Sequence, residues 1–312
     1  MINILITGSN GQLGSEIMEL VEEIPSQAEN DETCFFFTDK DSLDITKQHA
    51  INEFIELNNI NIIINCAAYT AVDKAQENEK SADLVNHIAV KNLAQISKNN
   101  NIKLIHISTD YVFNGKAHMP YTEDDKTNPN GVYGKTKLAG ENAMIEINPL
   151  NSIIIRTSWV YSSFEANFVK TMLRLGKDRD ELGVIFDQVG TPTYARDLAK
   201  TILDIIPKLD SRVKPENDEN RHSELDSESK VQIYNYSNEG VLSWYDFAKE
   251  IMRMAKLECT INPIETKEYP TPASRPHYSL LNKSKIKKEF NITIPFWKDS
   301  LDECLTKMGE RR

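Results

Sequence analysis

The feature that most constrains how this chain can fold is an apolar segment that runs directly into a glycine-rich turn. Residues 2–7 are rich in isoleucine, glycines follow at positions 8, 11 and 14, and apolar residues at helical spacing continue to Ile24. Glycines at this spacing allow a tight turn and a close approach of the backbone to a pyrophosphate, while the N-terminus of the next helix attracts negative charge. The segment therefore predicts a strand, a dinucleotide-binding turn and a helix.

Apolar runs and helical patterns continue to alternate along the chain. This β-α-β-α order predicts an α/β fold of the Rossmann type, with a doubly wound parallel sheet. Thr46 is predicted to cap the helix that contains Ile51 and Ile55. Further strands are predicted at 34–38, 60–64, 103–107, 153–155 and 231–236, and further helices at 83–98, 133–146, 167–175, 195–206 and 243–256, the last capped by Ser243.

These elements predict two regions of unequal size. We expect residues 1–160 to form an NAD(P)-binding Rossmann domain, to which segments near 191–206 and 231–237 return. Residues 161–312 are expected to form mainly a smaller carboxyl-terminal substrate-binding region. Residues 211–230 contain almost nothing apolar, so they are predicted to be a polar surface insertion.

Composition and charge narrow the classes of partner. The formal net charge of -11 at pH 7 argues against a surface that follows nucleic-acid phosphates or an anionic membrane. No apolar run reaches the roughly 18 residues that a membrane-spanning helix needs, and the four cysteines have no C-x-x-C spacing. We therefore expect a cytoplasmic protein with no nucleic-acid partner, no membrane segment, no disulfide framework and no zinc site.

Three polar residues form the candidate catalytic group. Thr109 follows the fourth predicted strand, and Tyr133 and Lys137 stand four residues apart on one face of the next predicted helix. A hydride that reaches a carbonyl carbon leaves an alkoxide, and a tyrosine can protonate it if a cation lowers the phenol pKa from near 10. We predict that Tyr133 donates the proton, that Lys137 lowers its pKa and binds the nicotinamide ribose, and that Thr109 holds the carbonyl oxygen.

The end of the second predicted strand bears on the choice of dinucleotide. Asp39 lies about 25 residues after the last glycine of the turn, close to where a dinucleotide fold places the carboxylate that binds the adenosine ribose. Lys40 follows at once, and its ammonium favours a 2′-phosphate. Asp39 therefore favours NADH and Lys40 favours NADPH, so both coenzymes remain open.

Longer motifs carry a resemblance to one family within the extended short-chain dehydrogenase/reductase superfamily. Together with the glycine turn, they resemble the dTDP-4-dehydrorhamnose reductases over most of the chain. The resemblance implies a dTDP-deoxysugar substrate, dTDP-4-dehydro-L-rhamnose, whose C4 ketone is reduced. The motifs are NCAAYTAVDKA at 65–75, ISTDYVF at 107–113, VYGKTKLAGE at 132–141, RTSWVY at 156–161 and DQVGTPT at 187–193.

The resemblance also implies roles for individual residues. Trp159 and Tyr111 offer flat apolar walls to a sugar or a base, and Arg275 offers a guanidinium to the diphosphate. The positions that match substrate contacts are Thr70, Val72, Thr109, Tyr111, Trp159, Asn167 and Arg275. The positions that match cofactor contacts are Gly8, Asn10, Gly11, Gln12, Leu13, Gly14, Asp39, Asp44, Ile45, Ala67, Ala68, Tyr69, Tyr133 and Lys137.

Two alternative functions share these motifs. A nucleotide-sugar epimerase or dehydratase has the same fold, but a dehydratase typically has a glutamate where this chain has Tyr111. A binding protein, like the regulatory subunit of methionine adenosyltransferase, has no need of a proton donor such as Tyr133.

Some relatives form a homodimer around a magnesium ion held by glutamates. Glu16 has a matching place in the first helix, but no partner carboxylates are identified, so a homodimer stays open and no metal is predicted.

Overall fold

Six parallel strands form the central sheet of the computed structural model, which describes residues 2–23, 33–209 and 230–311. Their order in space is β6-β5-β4-β3-β1-β2, so the chain starts inside the sheet and extends it in both directions. This arrangement is a doubly wound Rossmann-type sheet, and the predicted fold class is confirmed. The strands are β1 Ile2–Thr7, β2 Thr33–Thr38, β3 Ile62–Asn65, β4 Lys103–Thr109, β5 Ile153–Thr157 and β6 Gln232–Tyr236.

The central strands are nearly continuous isoleucine because helices cover both faces of the sheet. Successive side chains of a strand point to opposite faces. Ile4 and Ile6 therefore pack in one apolar cluster with the first helix, whereas Leu5 packs in a second cluster on the other face. The two clusters hold the carboxyl ends of the strands in one line at a single edge.

Among the described residues up to 205, eight α-helices accompany the strands. Two predictions need correction here. Lys47, not Thr46, is the N-cap residue of the second helix, because the Thr46 hydroxyl donates to Asp44 Oδ1 at 2.8 Å instead. The predicted helix at 83–98 is two α-helices joined by a π-helical turn at Leu84–Ile88. The helices are α1 Gln12–Glu23, α2 Gln48–Asn58, α3 Val72–Glu77, α4 Glu79–Asp83, α5 Ala89–Asn99, α6 Val132–Ile147, α7 Phe168–Asp178 and α8 Ala195–Ile205.

The π-helical turn fixes the segment that follows β3. Its buried Asn86 accepts a hydrogen bond from the Tyr69 N–H at 2.9 Å and donates to the Tyr69 carbonyl at 3.1 Å. The same side chain donates to the Thr136 hydroxyl on α6 at 3.2 Å. A Cβ at Gly140 would lie 2.2 Å from the Asn86 carbonyl oxygen. The backbone of α6 is therefore in direct contact with the backbone of this turn. The turn thus aligns α6 with the segment after β3.

A buried ion pair joins α6 to the central sheet. Arg156 on β5 donates from Nε and Nη2 to the Glu141 carboxylate, at 3.0 and 2.7 Å. The side chains of Arg156 and Glu141 are 3% and 0% exposed. The guanidinium also donates to the Glu123 carbonyl at 3.3 Å. This pair positions the helix that carries Tyr133 and Lys137.

The carboxyl-terminal elements build a further apolar cluster. The prediction that Ser243 caps a helix is confirmed, because Ser243 and Asp246 form a reciprocal capping box. The cluster packs α7 against two later helices and a pair of parallel strands, Glu181–Ile185 and Thr260–Ile264. The sequence did not predict these two strands or the last two helices. The helices are α9 Trp244–Ala255, α10 Ser284–Phe290 and α11 Trp297–Lys307.

Two further pairings join strands of two residues each. The strands Val160–Tyr161 and Thr193–Tyr194 are parallel, and Val189–Gly190 is antiparallel to Leu242–Ser243. The predicted insertion at 211–230 lies outside the described residues except for its last residue. Within the described ranges, no helix has both the length and the apolar character needed to cross a membrane.

Candidate active site

Several of the predicted site residues lie at the carboxyl edge of the central sheet. The glycine turn follows β1, the segment 65–72 follows β3, and Thr109 ends β4. The amino terminus of α6 lies beside them because α6 packs on β4 and on the short 3₁₀ turn Asp110–Val112. Ligands of open α/β sheets bind at this edge.

The glycine turn depends on the absence of side chains at two positions. Gly8 has a φ of +67°, and a Cβ there would lie 2.7 Å from Ala67 Cα. A Cβ at Gly14 would lie 2.5 Å from Ser9 Cα. The turn is therefore tight, and it contacts the backbone that follows β3. Two predicted cofactor segments, the turn and the Ala67–Ala68 pair, are adjacent for this reason.

Asp39 lies at the end of β2, next to the turn. Its carboxylate accepts hydrogen bonds from the backbone N–H and the hydroxyl of Ser42, at 2.9 and 2.8 Å, and from the Asn10 amide. These hydrogen bonds, the Ser42 N–H first, lower the pKa of Asp39 below its ordinary value. Asp39 is thus an anion, held in place by Asn10. Lys40 is exposed beside it.

Two further predicted cofactor residues follow this loop. The Asp44 carboxylate accepts from the Thr46 N–H at 2.9 Å and orders the turn before α2. Ile45 is 6% exposed and packs in the apolar cluster on one face of the sheet. Its side chain is therefore part of the core, which leaves only its backbone to face a ligand.

Thr109 and Tyr133 form the centre of the site. The Thr109 hydroxyl donates to Asp110 Oδ1 at 3.0 Å, and it lies close enough to the Tyr133 phenol to act on the pKa of that phenol. The Tyr111 ring packs edge to face on the Tyr133 ring, with 5.4 Å between centroids. Burial raises the pKa of Tyr133 to about 12. The phenol is therefore protonated at neutral pH, which is the state a proton donor requires.

Lys137 is buried below this centre and is 1% exposed. Its Nζ donates to the Ile107 carbonyl at 2.6 Å and lies 3.3 Å from His106 Nε2. Burial lowers the pKa of Lys137 to about 8. Burial of the Tyr133 phenol raises its pKa in this structure, so the net lowering expected from the sequence is not found here, and the effect of Lys137 on that pKa stays a prediction.

Asp110 is a site residue that was not among the predicted positions. Its side chain is 3% exposed, and burial raises its pKa to about 7. The sequence signal was its place directly after the strand-end Thr109, where a carboxylate reaches the same sheet edge. This buried carboxyl acts on the Tyr133 phenol, whose pKa it helps to raise.

Two of the predicted substrate residues, Trp159 and Asn167, already have protein partners. The Trp159 ring stacks on Trp244, with 3.7 Å between ring centroids, and its backbone φ is +50°. Asn167 is the N-cap residue of α7, where its Oδ1 accepts from the Lys170 N–H at 3.1 Å and its amide donates to the Ser162 carbonyl at 2.8 Å. The contacts of Asn167 are those of a helix cap.

Arg275 lies against the segment that contains Thr70 and Val72. Its guanidinium makes a bidentate pair with Asp73, at 2.9 and 2.6 Å. The Asp73 carboxylate also accepts from the Ala273 N–H at 3.1 Å, so it fixes the loop that carries the arginine. The structure thus brings three predicted substrate residues to one side of the site, and Arg275 is shared with a carboxylate that the sequence did not identify.

The Glu16 carboxylate has several protein partners in the structure. Its buried carboxylate accepts from the Ser162 hydroxyl at 2.6 Å and from Lys307 Nζ at 2.8 Å, and it lies 3.5 Å from Arg196. Two cations thus neutralise this carboxylate. In the part of the chain that the structure describes, no group of three or more His, Cys, Asp or Glu side chains is placed to hold a metal ion.

The chain is similar over nearly its whole length to proteins of one family. The profile of the RmlD substrate binding domain matches residues 2–310. The dTDP-4-dehydrorhamnose reductase of Aggregatibacter actinomycetemcomitans is 38% identical over 307 residues, which are 96% of this chain and 97% of the relative. A crystal structure of a dTDP-4-dehydrorhamnose reductase from Clostridium acetobutylicum has a TM-score of 0.86 and 39% identity, and covers 99% of this chain and 100% of its own. The crystal structure of the dTDP-4-dehydrorhamnose reductase from Bacillus anthracis in complex with NADP has a TM-score of 0.84 and 35% identity. The match covers 98% of this chain and 100% of the Bacillus anthracis chain.

Proposed function

The chain belongs to the RmlD substrate binding domain family, and from that premise we propose that it is an NADPH-dependent oxidoreductase that reduces the C4 ketone of dTDP-4-dehydro-L-rhamnose to give dTDP-L-rhamnose. The observation that carries this proposal is the buried group at the sheet edge. A hydroxyl, a protonated phenol and an amine, from Thr109, Tyr133 and Lys137, meet beside a turn that only glycine can form.

The residues around the glycine turn fit a dinucleotide. The pyrophosphate would bind to the backbone N–H groups of the turn and to the N-terminus of α1, where the helix dipole favours an anion. Asp39 and Lys40 would hold the adenosine ribose, and Lys137 would hold the nicotinamide ribose. When bound, NADPH supplies the hydride for the ketone carbon. The complex of the Bacillus anthracis reductase with NADP supports this choice of cofactor.

The protein's own part in the reaction is to orient the ketone and to protonate its oxygen. Thr109 donates a hydrogen bond to the carbonyl oxygen and sets its distance from Tyr133. The Tyr133 phenol then transfers its proton to that oxygen as negative charge develops there. Lys137, as an ammonium, stabilises the phenolate that remains.

Groups on two sides of this centre would bind the nucleotide sugar. Tyr111 and Trp159 supply apolar ring faces, and Arg275 supplies a guanidinium for the diphosphate. Thr70 and Val72 lie beside Arg275, since Asp73 pairs with that arginine. We further propose that residues 1–160, with the segments near 191–206 and 231–237, bind the cofactor, and that residues 161–312 mainly bind the substrate. The separate apolar cluster around α7, α9 and α11 supports this division.

An absorbance assay tests the proposed function. The protein is mixed with NADPH and with dTDP-4-dehydro-L-rhamnose generated in situ, and the loss of NADPH absorbance is followed. We expect oxidation of one NADPH for each dTDP-L-rhamnose formed, and no oxidation when the sugar nucleotide is left out. Turnover of a nucleotide sugar without net oxidation of NADPH would favour the epimerase or dehydratase alternative. Binding of NADPH with no turnover of any sugar nucleotide would favour a regulatory binding protein.

Lys40 is expected to set the preference for NADPH over NADH. Its ammonium is exposed next to Asp39, where it can pair with the 2′-phosphate. Lys40→Ala should raise the KM for NADPH about tenfold, the loss of one charge-assisted hydrogen bond, and leave the KM for NADH unchanged. Steady-state kinetics with both coenzymes measure this.

Lys47→Ala is the matched control for this prediction. Lys47 is exposed in the same loop, and both lysines act on the Asp44 carboxylate, so this variant removes the same charge from the same neighbourhood. We expect its KM values for both coenzymes to stay within about twofold of the native ones. Equal increases for NADPH and NADH in Lys40→Ala would contradict the assigned role.

A further inference from the structure

Four buried polar side chains form a continuous row beneath the active site. Thr7 on β1, Asn65 on β3, His106 on β4 and Lys137 on α6 are each no more than 1% exposed. Asn65 Oδ1 accepts from the Thr7 hydroxyl at 2.7 Å, Asn65 Nδ2 lies 3.0 Å from His106 Nδ1, and His106 Nε2 lies 3.3 Å from Lys137 Nζ. Most of the other buried positions of these three strands are isoleucine or leucine. Polar groups buried at this depth require hydrogen-bond partners, and the row supplies them to one another.

The chemistry of each group sets the direction of the hydrogen bonds. A lysine ammonium only donates, so His106 Nε2 must accept from it. The ring proton of a neutral histidine is then on Nδ1, which donates to the Asn65 amide oxygen. This order requires the Asn65 amide to be rotated by 180° from its placement above, which exchanges its donor and its acceptor and makes the Thr7 hydroxyl the acceptor of the amide N–H. In this order Lys137, His106 and Asn65 each have a partner of the opposite kind.

We propose that His106 is a positioning residue for Lys137, which it holds in the charged form through a hydrogen bond accepted by Nε2, while Asn65 and Thr7 fix the ring in the tautomer that can accept. The proposal rests on the proposed function, in which Lys137 serves both the cofactor and Tyr133. Among the described residues, the Ile107 carbonyl and His106 Nε2 accept from two of the three N–H groups of the ammonium. The third is left for a ligand or for the phenol.

An apolar side chain would fill the same space, but it would leave the ammonium with one fewer acceptor. Leu104 lies on the same strand and the same face and packs in the apolar cluster there. Burial and the charge of Lys137 both keep the pKa of His106 well below its ordinary value, so the ring is neutral and does not repel the ammonium. A histidine in this place thus acts as an uncharged acceptor.

Other ionisable groups near Lys137 set the background for a pH test. Glu141 on the same helix favours the ammonium, and Arg156 on β5 pairs with that carboxylate. Tyr133 stands one turn before Lys137 on α6, and Asp110 acts on the Tyr133 phenol. Because the ammonium is the active form, activity is present below the pKa of Lys137, about 8, and is lost as pH rises through it.

Three variants test the role of His106 through the pH dependence of kcat, measured with saturating NADPH. His106→Leu removes the acceptor, so the alkaline limb should move to lower pH by about one unit, and kcat at pH 8 should fall about fivefold. His106→Gln supplies an amide oxygen that can accept a hydrogen bond from Lys137. It should restore most of the position of the alkaline limb and most of kcat at pH 8. Leu104→Ala leaves a cavity on the same face and strand, and it should lower thermal stability without moving the limb. Identical pH profiles for His106→Leu and Leu104→Ala would overturn the proposal.

A spectroscopic measurement gives a second test that needs no substrate. In ¹⁵N-histidine NMR spectra of the native protein, the His106 signals are those that disappear in His106→Gln. We expect a neutral ring with the proton on Nδ1 from about pH 5 to about pH 8. A proton on Nε2, or protonation of the ring in that range, would overturn the proposal. A protein that showed the expected tautomer but no reductase activity would instead refute the proposed function.

Discussion

Replacing Tyr133 by phenylalanine is expected to lower kcat by about two to four orders of magnitude, the range that a positioned general acid contributes. The substitution removes one oxygen and keeps the ring that packs on Tyr111. Thr109 would still hold the ketone, but no phenol would be present to protonate its oxygen. The measurement is single-turnover oxidation of NADPH in the presence of dTDP-4-dehydro-L-rhamnose.

Tyr234→Phe is a matched control for this experiment. The Tyr234 ring is fully buried on β6, and its hydroxyl donates to Glu289 at 2.5 Å, away from the sheet edge that carries the site. We expect kcat of this variant to stay within about threefold of the native value, since only a remote hydrogen bond is lost. Equal rates for the native protein and Tyr133→Phe would contradict the assignment of Tyr133 as the acid.

Arg156→Met is expected to lower the free energy of unfolding by about 3–5 kcal/mol, because it leaves the fully buried Glu141 carboxylate without its partner. Methionine fills much of the space of the arginine stem, so the lost charge dominates the effect. The measurement is equilibrium unfolding in urea, with the midpoint and the slope compared between variants.

A pair with an exposed arginine and a double variant separate this effect from a general loss of ion pairs. Arg253→Met should cost no more than about 1 kcal/mol, because Arg253 is 68% exposed and its partner, the 10% exposed Glu250, keeps Lys298 at 3.5 Å. Adding Glu141→Leu to Arg156→Met should recover most of the lost stability, since no unpaired charge then remains in the core. Similar losses for the two arginine variants would contradict the account of a buried, unpaired charge.

Local patterns were sufficient to predict the fold. Runs of isoleucine as in β3 and β5 predict strands covered on both faces, and their alternation with helices predicts a parallel sheet. The glycine turn was recognised by spacing alone, and the structure gives the physical reason in the contact between Gly8 and Ala67. Because parallel strands end at one edge, the proximity of Thr109 and Tyr133 followed from their places in the sequence.

The parts of the site that depend on distant partners could not be predicted in this way. The pairing of Arg275 with Asp73 joins residues about 200 positions apart, and no local pattern records it. The raised pKa of Tyr133 comes from burial, which opposes the lowering expected from a nearby ammonium. The capping role of Asn167 and the π-helical turn at Leu84–Ile88 arise from local backbone geometry that apolar periodicity does not encode.

The most direct test of the central claim is to follow deuterium from the cofactor to the sugar. NADPH that carries deuterium at the transferred position of its nicotinamide ring is incubated with the native protein and dTDP-4-dehydro-L-rhamnose, and the product is examined by mass spectrometry and NMR. The account predicts dTDP-L-rhamnose with one deuterium, located at C4, and one NADPH oxidised for each product molecule. A product without deuterium at C4, or a sugar nucleotide altered with no NADPH oxidised, would contradict it.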